Sequence, residues 1–200
     1  MRSPTRSDWT VAALQQVPDD GNRHEIIDGV LYVSPPPRAV HQLVAGELFV
    51  LLTPCGKAAG QLVFLAPADV TFSNRTLVQP DVFASPAPAS VASFSYTDIT
   101  HLDLAIEVLS PGTARVDRVI TRRLYQRQGV TEYWIVDADA RSVERWRPDS
   151  VEGERITGAL SWQPRPEHAA LTIELPALFR EALGESCPPD GAPGSRREAG

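Results

Sequence analysis

The chain has 200 residues, a hydrophobic fraction of 42%, a charged fraction of 22% and a net charge of −6. That size and balance suit one globular domain with tails. The acidic balance counts against a constitutive, high-affinity nucleic-acid binder but leaves room for a local basic patch.

In chain order, residues 9–16 predict a short helix with Ser7 or Asp8 as N-cap. Residues 24–27, Asp28-Gly29 and residues 30–33 predict a hairpin, because Asp-Gly between β-favouring runs fits a type I′ turn. Val40, Leu43, Val44, Leu48, Leu51 and Leu52 recur at three- and four-residue spacing, which predicts a helix over 38–52 that ends before Pro54. The apolar run 48–52 is far too short to span a membrane, and no apolar stretch follows the basic N-terminus as in a signal peptide. Segments 61–65, 69–72 and 77–83 read as short strands. Segment 84–95, rich in Ala, Ser and Pro, reads as a mobile surface loop: a lid, a substrate contact or a tolerated insertion. Residues 104–109 are nearly all apolar, the pattern of a sheet centre. A helix follows over 113–128 and stops at Gly129. Residues 132–136 and 142–147 form a second hairpin, 171–175 one more strand and 176–183 a short helix.

These elements predict one α/β (α+β) domain over 8–183. It has a mixed β-sheet core flanked by helices, with N-terminal and C-terminal hairpin additions. Residues 1–7 are expected to be flexible and 185–200 disordered. Cys55 and Cys187 are expected as free thiols in a reducing cytoplasm.

Two segments carry chemistry. Asp81 and Glu107 each sit among apolar residues that would ordinarily be buried. A buried carboxylate is costly without a partner, and two together cost more. The stretch between them suffices for one strand, a connection and a neighbouring strand, so both carboxylates can lie side by side at one sheet edge. With the backbone carbonyl of Val108 and waters they would suit Mg²⁺ or Mn²⁺. Alternatively, one of them simply ends a strand in solvent. On the helix after Glu107, Asp117, Thr121, Tyr125 and Gln128 share one stripe at about 100° per residue. Val116, Ile120 and Leu124 form an apolar stripe beside it. Arg115, Arg118 and Arg122 form a basic one, read as a phosphate-contacting face or as a solvated surface.

The ordered set Glu25-Ile-Ile-Asp28-Gly29, His41, Val78-Gln79-Pro80-Asp81, Ile106-Glu107-Val108-Leu109-Ser110-Pro111, Asp117-Arg118 and Arg123-Leu124-Tyr125, closing with 129–137, resembles the bacterial Uma-two family. That family belongs to the restriction-endonuclease-like, PD-(D/E)XK superfamily. The resemblance covers about residues 20–180. It implies a nuclease-type core and a DNA endonuclease using Mg²⁺ or Mn²⁺, with Asp81 and Glu107 as metal ligands. Glu25, His41, Gln79, Asp117 and Tyr125 would surround those ligands. The superfamily motif expects lysine where Leu109 stands. The family moves it to the helix, four residues before the tyrosine, where Thr121 stands. The chain's only lysine is Lys57, so that catalytic position falls to Thr121. The alternative is a catalytically weakened nuclease fold that binds nucleic acid or a protein. DNA is the expected partner and the cytoplasm the expected location, with no membrane. Enzymes of this type that cut both strands are often dimers, so a homodimer stays open.

Overall fold

The computed structural model describes residues 8–185. The expected flexible start and nearly all of the expected tail lie outside them. Glu185, the described part of that tail, pairs with Arg141. The first helix, α1 (Val11–Leu14), is shorter than expected. Its cap is Thr10, whose hydroxyl accepts the Ala13 N–H at 3.2 Å, rather than Ser7 or Asp8.

The first hairpin joins β1 (Arg23–Ile27) and β2 (Val30–Ser34). Asp28 and Gly29 have φ of 53° and 82°, the paired positive values that a type I′ turn requires. With β4 (Val70–Ser73) and β5 (Thr76–Val78) the hairpin builds a four-stranded antiparallel sheet, in the order β2-β1-β5-β4.

The larger sheet contains β3 (Gln61–Leu65), β6 (Val82–Pro86), β7 (Leu104–Val108), β8 (Glu132–Asp137), β9 (Ser142–Trp146) and β10 (Glu154–Ile156). Their order is β10-β9-β8-β7-β6-β3. Strands β7 and β8 run parallel and the other neighbours antiparallel. A parallel pair needs a crossover, which the helical segment 114–127 supplies. Strands β11 (Ala159–Trp162) and β12 (Leu171–Glu174) pair separately, and α5 (Leu175–Ala182) follows.

Side chains alternate across the sheet. On one face Ile106, Trp134 and Val136 pack with Leu48, Trp162 and Phe179. On the other, Phe83, Ala105, Tyr133 and Ile135 pack with Ile27, Leu124 and Tyr125. By the same alternation Asp81 and Glu107 belong to this second face.

Five expectations change. The single strand expected over 77–83 is split between the two sheets, because Pro80 has no N–H for a ladder and the chain passes between sheets there. Ala84 and Ser85, expected in a loop, are buried in β6. Beyond them Phe94 and Tyr96 pack on Phe64, with ring centroids 5.9 and 5.8 Å away.

Helix α2 (Ala39–Ala58) does not stop before Pro54. Pro54 deprives the Val50 carbonyl of its helical partner, and Val50 lies on the exposed side. The last turn is held by Gly56, where an added Cβ would come within 2.7 Å of Val63. At 20 residues α2 is long and apolar enough to cross a membrane, contrary to the expectation from 48–52 alone. In the fold its Val44, Ala45, Leu48 and Leu52 are buried in the core.

The helix expected over 113–128 has three parts: α3 (Ala114–Val116), a π segment (Asp117–Thr121) and α4 (Arg122–Arg127). Gly129, at φ 70°, ends it. The wider π turn shifts the register. It leaves Asp117, Thr121, Leu124 and Tyr125 buried, while Val116 and Ile120 of the expected apolar stripe are only half-buried.

Candidate active site

Three strands deliver charged residues to one spot. In the ladder Val82 pairs with Ile106, and the Asp81 N–H donates to the Ile106 carbonyl at 3.0 Å. Asp81 therefore stands opposite Glu107 at the C-terminal end of the central strand β7, rather than on an edge strand. From the smaller sheet, β1 contributes Arg23 and Glu25, which share the parity of the buried Ile27.

The carboxylates are nearly sealed from water, with side chains 4% exposed for Asp81 and 2% for Glu107. Asp81 Oδ1 accepts from Arg23 Nη1 at 2.8 Å. Its Oδ2 accepts the Val108 N–H at 2.8 Å and faces His41 Nε2 at 2.9 Å. Glu107 Oε1 accepts the Tyr125 hydroxyl at 3.2 Å, and Oε2 lies 3.5 Å from Arg23 Nη2. Arg23 Nε lies 3.4 Å from Glu25 Oε2, and Nη1 also donates to the Gln79 carbonyl at 3.1 Å. The second Glu25 oxygen accepts the Gln79 N–H at 2.9 Å.

One guanidinium thus serves three carboxylates. Arg23 was not anticipated from the sequence, where an arginine at a strand start looks solvent-facing. The available signal was its spacing: residues two apart in a strand share a face, and Glu25 was already a candidate.

The electrostatics follow from this crowding. Burial pushes the Glu107 carboxyl well above its usual range, and the Asp81 charge pushes it the same way. Burial would also raise Asp81, but the His41 hydrogen bond and Arg23 outweigh it and hold Asp81 below its usual value. Asp117 is raised to about 7, chiefly by burial, despite a hydrogen bond from Thr113. Burial alone would lower Arg23, yet Glu25, Glu107 and Asp81 together raise it well above its usual value.

The remaining expected residues divide. Tyr125 is fixed by a ring contact with Tyr133 at 4.9 Å and meets Glu107. His41 meets Asp81 through Nε2, while its buried Nδ1 has no hydrogen-bond partner among the described residues. Gln79 touches Arg23 and Glu25 through its backbone, and its side chain donates to Asp69 at 2.7 Å. Thr121 is buried but makes no hydrogen bond to either carboxylate among the described residues. Val108 meets the site through its N–H.

The basic stripe is largely committed elsewhere. Arg118 binds Glu144 at 2.7 Å and Asp137 at 3.4 Å. Arg122 donates to Gln126 at 2.7 Å and lies 4.5 Å over the Trp146 ring. Arg115 is exposed.

A cleft of about 580 Å³ opens onto this cluster, with Arg23, His41, Asp81, Val108, Pro36 and Pro111 among its walls. Glu107 is not one of its walls. The donor chemistry fits a hard divalent cation, since Asp81, Glu107, Glu25 and Asp117 are all oxygen donors. The charge balance fits as well: four carboxyl groups interact electrostatically with one guanidinium, and His41 faces one of them. Among the described residues no three His, Cys, Asp or Glu side chains are grouped closely enough to hold a metal ion. Arg23 stands against both key carboxylates instead.

No curated protein matches the chain. A solved structure of a putative nuclease belonging to DUF820 from Anabaena variabilis shares the fold, with a TM-score of 0.74 and 20% identity. The match covers 88% of this chain and 99% of that one. A family model described as "Uma2: Putative restriction endonuclease" matches residues 11–179. That span contains every residue of the carboxylate cluster, and the chain belongs to the Uma2 family.

Proposed function

We propose that the chain is a metal-dependent endonuclease that hydrolyses phosphodiester bonds in DNA. The observation that carries this reading is the buried pair Asp81 and Glu107, opposed on neighbouring strands beside an open cleft. Asp81, Glu107 and the Val108 carbonyl would hold Mg²⁺ or Mn²⁺. The bound ion supplies a water of lowered pKa and neutralises charge developing on the phosphate.

The chain's own residues supply positioning. The Val108 N–H and His41 fix the Asp81 carboxylate, and the Tyr125 hydroxyl fixes one oxygen of Glu107. Arg23 is the cation inside the site and lines the cleft. Its planar fork matches phosphate oxygens, so it offsets phosphate charge where the family's lysine is replaced by Thr121. The exposed Arg115 is a further phosphate contact.

The test is cleavage of plasmid and single-stranded DNA in Mg²⁺ or Mn²⁺, beside Asp81→Ala. Loss of cleavage in the variant is expected. Undiminished cleavage would overturn the assignment.

A second reading rests on a specific observation. Leu109 and Thr121 stand where lysine is expected, and Arg118 and Arg122 are bound elsewhere. On this reading the chain is a weakened nuclease fold that binds nucleic acid or a protein partner. Thr121→Lys separates the two: a gain in cleavage means that the pocket is otherwise intact, and no gain favours the binding role.

A further inference from the structure

Glu107 is 2% exposed and forms no part of the cleft wall, whereas Arg23, in contact with Glu107, lines the cleft directly. The guanidinium takes an oxygen of Asp81 at 2.8 Å, one of Glu107 at 3.5 Å and one of Glu25 at 3.4 Å. These are oxygens that a cation held by Asp81 and Glu107 would draw on. Their other oxygens are engaged: Asp81 Oδ2 by the Val108 N–H and His41, Glu107 Oε1 by Tyr125.

We infer that Arg23 is an internal counter-ion of the Asp81 and Glu107 carboxylates that competes with a divalent ion for them and gives them up when the ion binds. This rests on the metal-dependent reading above. A guanidinium and a divalent ion compete for the same two oxygens, because like charges at contact distance repel in a poorly solvated pocket. Without either cation, the two buried carboxylates would face each other with only His41, Tyr125 and the Val108 N–H as partners, so the exchange keeps a cation beside them throughout.

Arg23 has somewhere to go. It is anchored on β1, in the smaller sheet, while both ligands belong to the strand ends of the larger one. Its side chain is one-fifth exposed, toward the cleft it lines. The displaced fork would then meet the phosphate entering that cleft. Arg23 is thus a positioning residue for the two carboxylates and a competitor with the metal for them.

The test is calorimetric titration of Mn²⁺ into the metal-free full chain, Arg23→Met and Arg23→Lys, with thermal unfolding recorded for each. Arg23→Met is expected to bind Mn²⁺ at least about tenfold more tightly than the wild type. Arg23→Lys should lie between them, since one ammonium group spans fewer oxygens than the fork. Should Arg23→Met fail to fold, Arg23→Lys carries the test, and tighter binding than wild type is the supporting result. Equal or weaker binding by a folded variant would overturn the inference while leaving the metal site standing. If neither wild type nor a folded variant binds Mn²⁺, the metal reading falls and the inference with it.

Discussion

Two buried acidic sites lie at opposite ends of strand β7, one with a single carboxylate and one with four, and they are built differently. At the N-terminal end, Asp103 accepts from Gln61 Nε2 at 2.7 Å and Arg165 Nη2 at 3.2 Å, and lies 3.4 Å from His101. One carboxylate is surrounded by donors there. At the C-terminal end, Asp81, Glu107, Glu25 and Asp117 share a single arginine, and a cleft reaches the cluster. A buried acid with ample partners is a structural device, because every lone pair finds a donor. Acids in excess of their cations raise one another's pKa, and such crowding beside a cleft is a mark of candidate functional sites.

If that contrast is right, the two ends respond to mutation in different ways. The largest effect is expected from Glu107→Ala. Loss of a metal ligand should lower DNA cleavage by at least ~100-fold, reflecting the several kcal/mol that a Lewis-acidic ion contributes. Asp103→Asn should leave cleavage near wild type in the same gel assay.

The pH dependence separates the ends next. Asp117 is raised from 3.8 to about 7 in the fold. Between those values the folded chain keeps a proton that the unfolded chain has released. Stability carried by this group therefore falls as pH rises through that window, by at most roughly 4 kcal/mol. Glu107 acts in the same direction. Asp81, held below its usual value, acts oppositely: its stabilisation is present above the unfolded pKa and is lost as pH falls through the folded one. Urea unfolding of Asp117→Asn at pH 4 and pH 8 should show a flatter pH profile than wild type, with the variant the more stable at pH 8.

Smaller effects sharpen the picture. Asp103→Ala strands buried donors on Gln61 and should cost about 1–3 kcal/mol of unfolding free energy with little change in cleavage per folded molecule. Tyr125→Phe removes one hydrogen bond to Glu107 and should cost about 1 kcal/mol, with a few-fold loss of cleavage as the carboxylate loses its orientation.

The carboxylate pair was legible because an acid inside an apolar run has few structural excuses. The type I′ turn was legible too, since Asp28-Gly29 states its own geometry. Arg23 was not: its importance depends on β1 folding against the ends of β6 and β7, a long-range fact that local pattern does not carry. The reach of α2 past Pro54 was misjudged for a related reason, because packing around Gly56 offsets a local penalty. The π segment has no compositional mark, so the helical wheel drawn for 113–128 pointed Arg118 and Arg122 at the site, whereas they serve Glu144, Asp137, Gln126 and Trp146. The lack of lysine at positions 109 and 121 was visible in the sequence, but the arginine against both carboxylates was visible only in the fold.

The central claim is that the cluster at the C-terminal end of β7 takes a divalent cation and the one at the N-terminal end does not. Calorimetric titration of Mn²⁺ into wild type, Glu107→Gln and Asp103→Asn tests it most directly. The account predicts saturable binding to wild type and Asp103→Asn that is lost in Glu107→Gln. Binding that survives Glu107→Gln unchanged would contradict it.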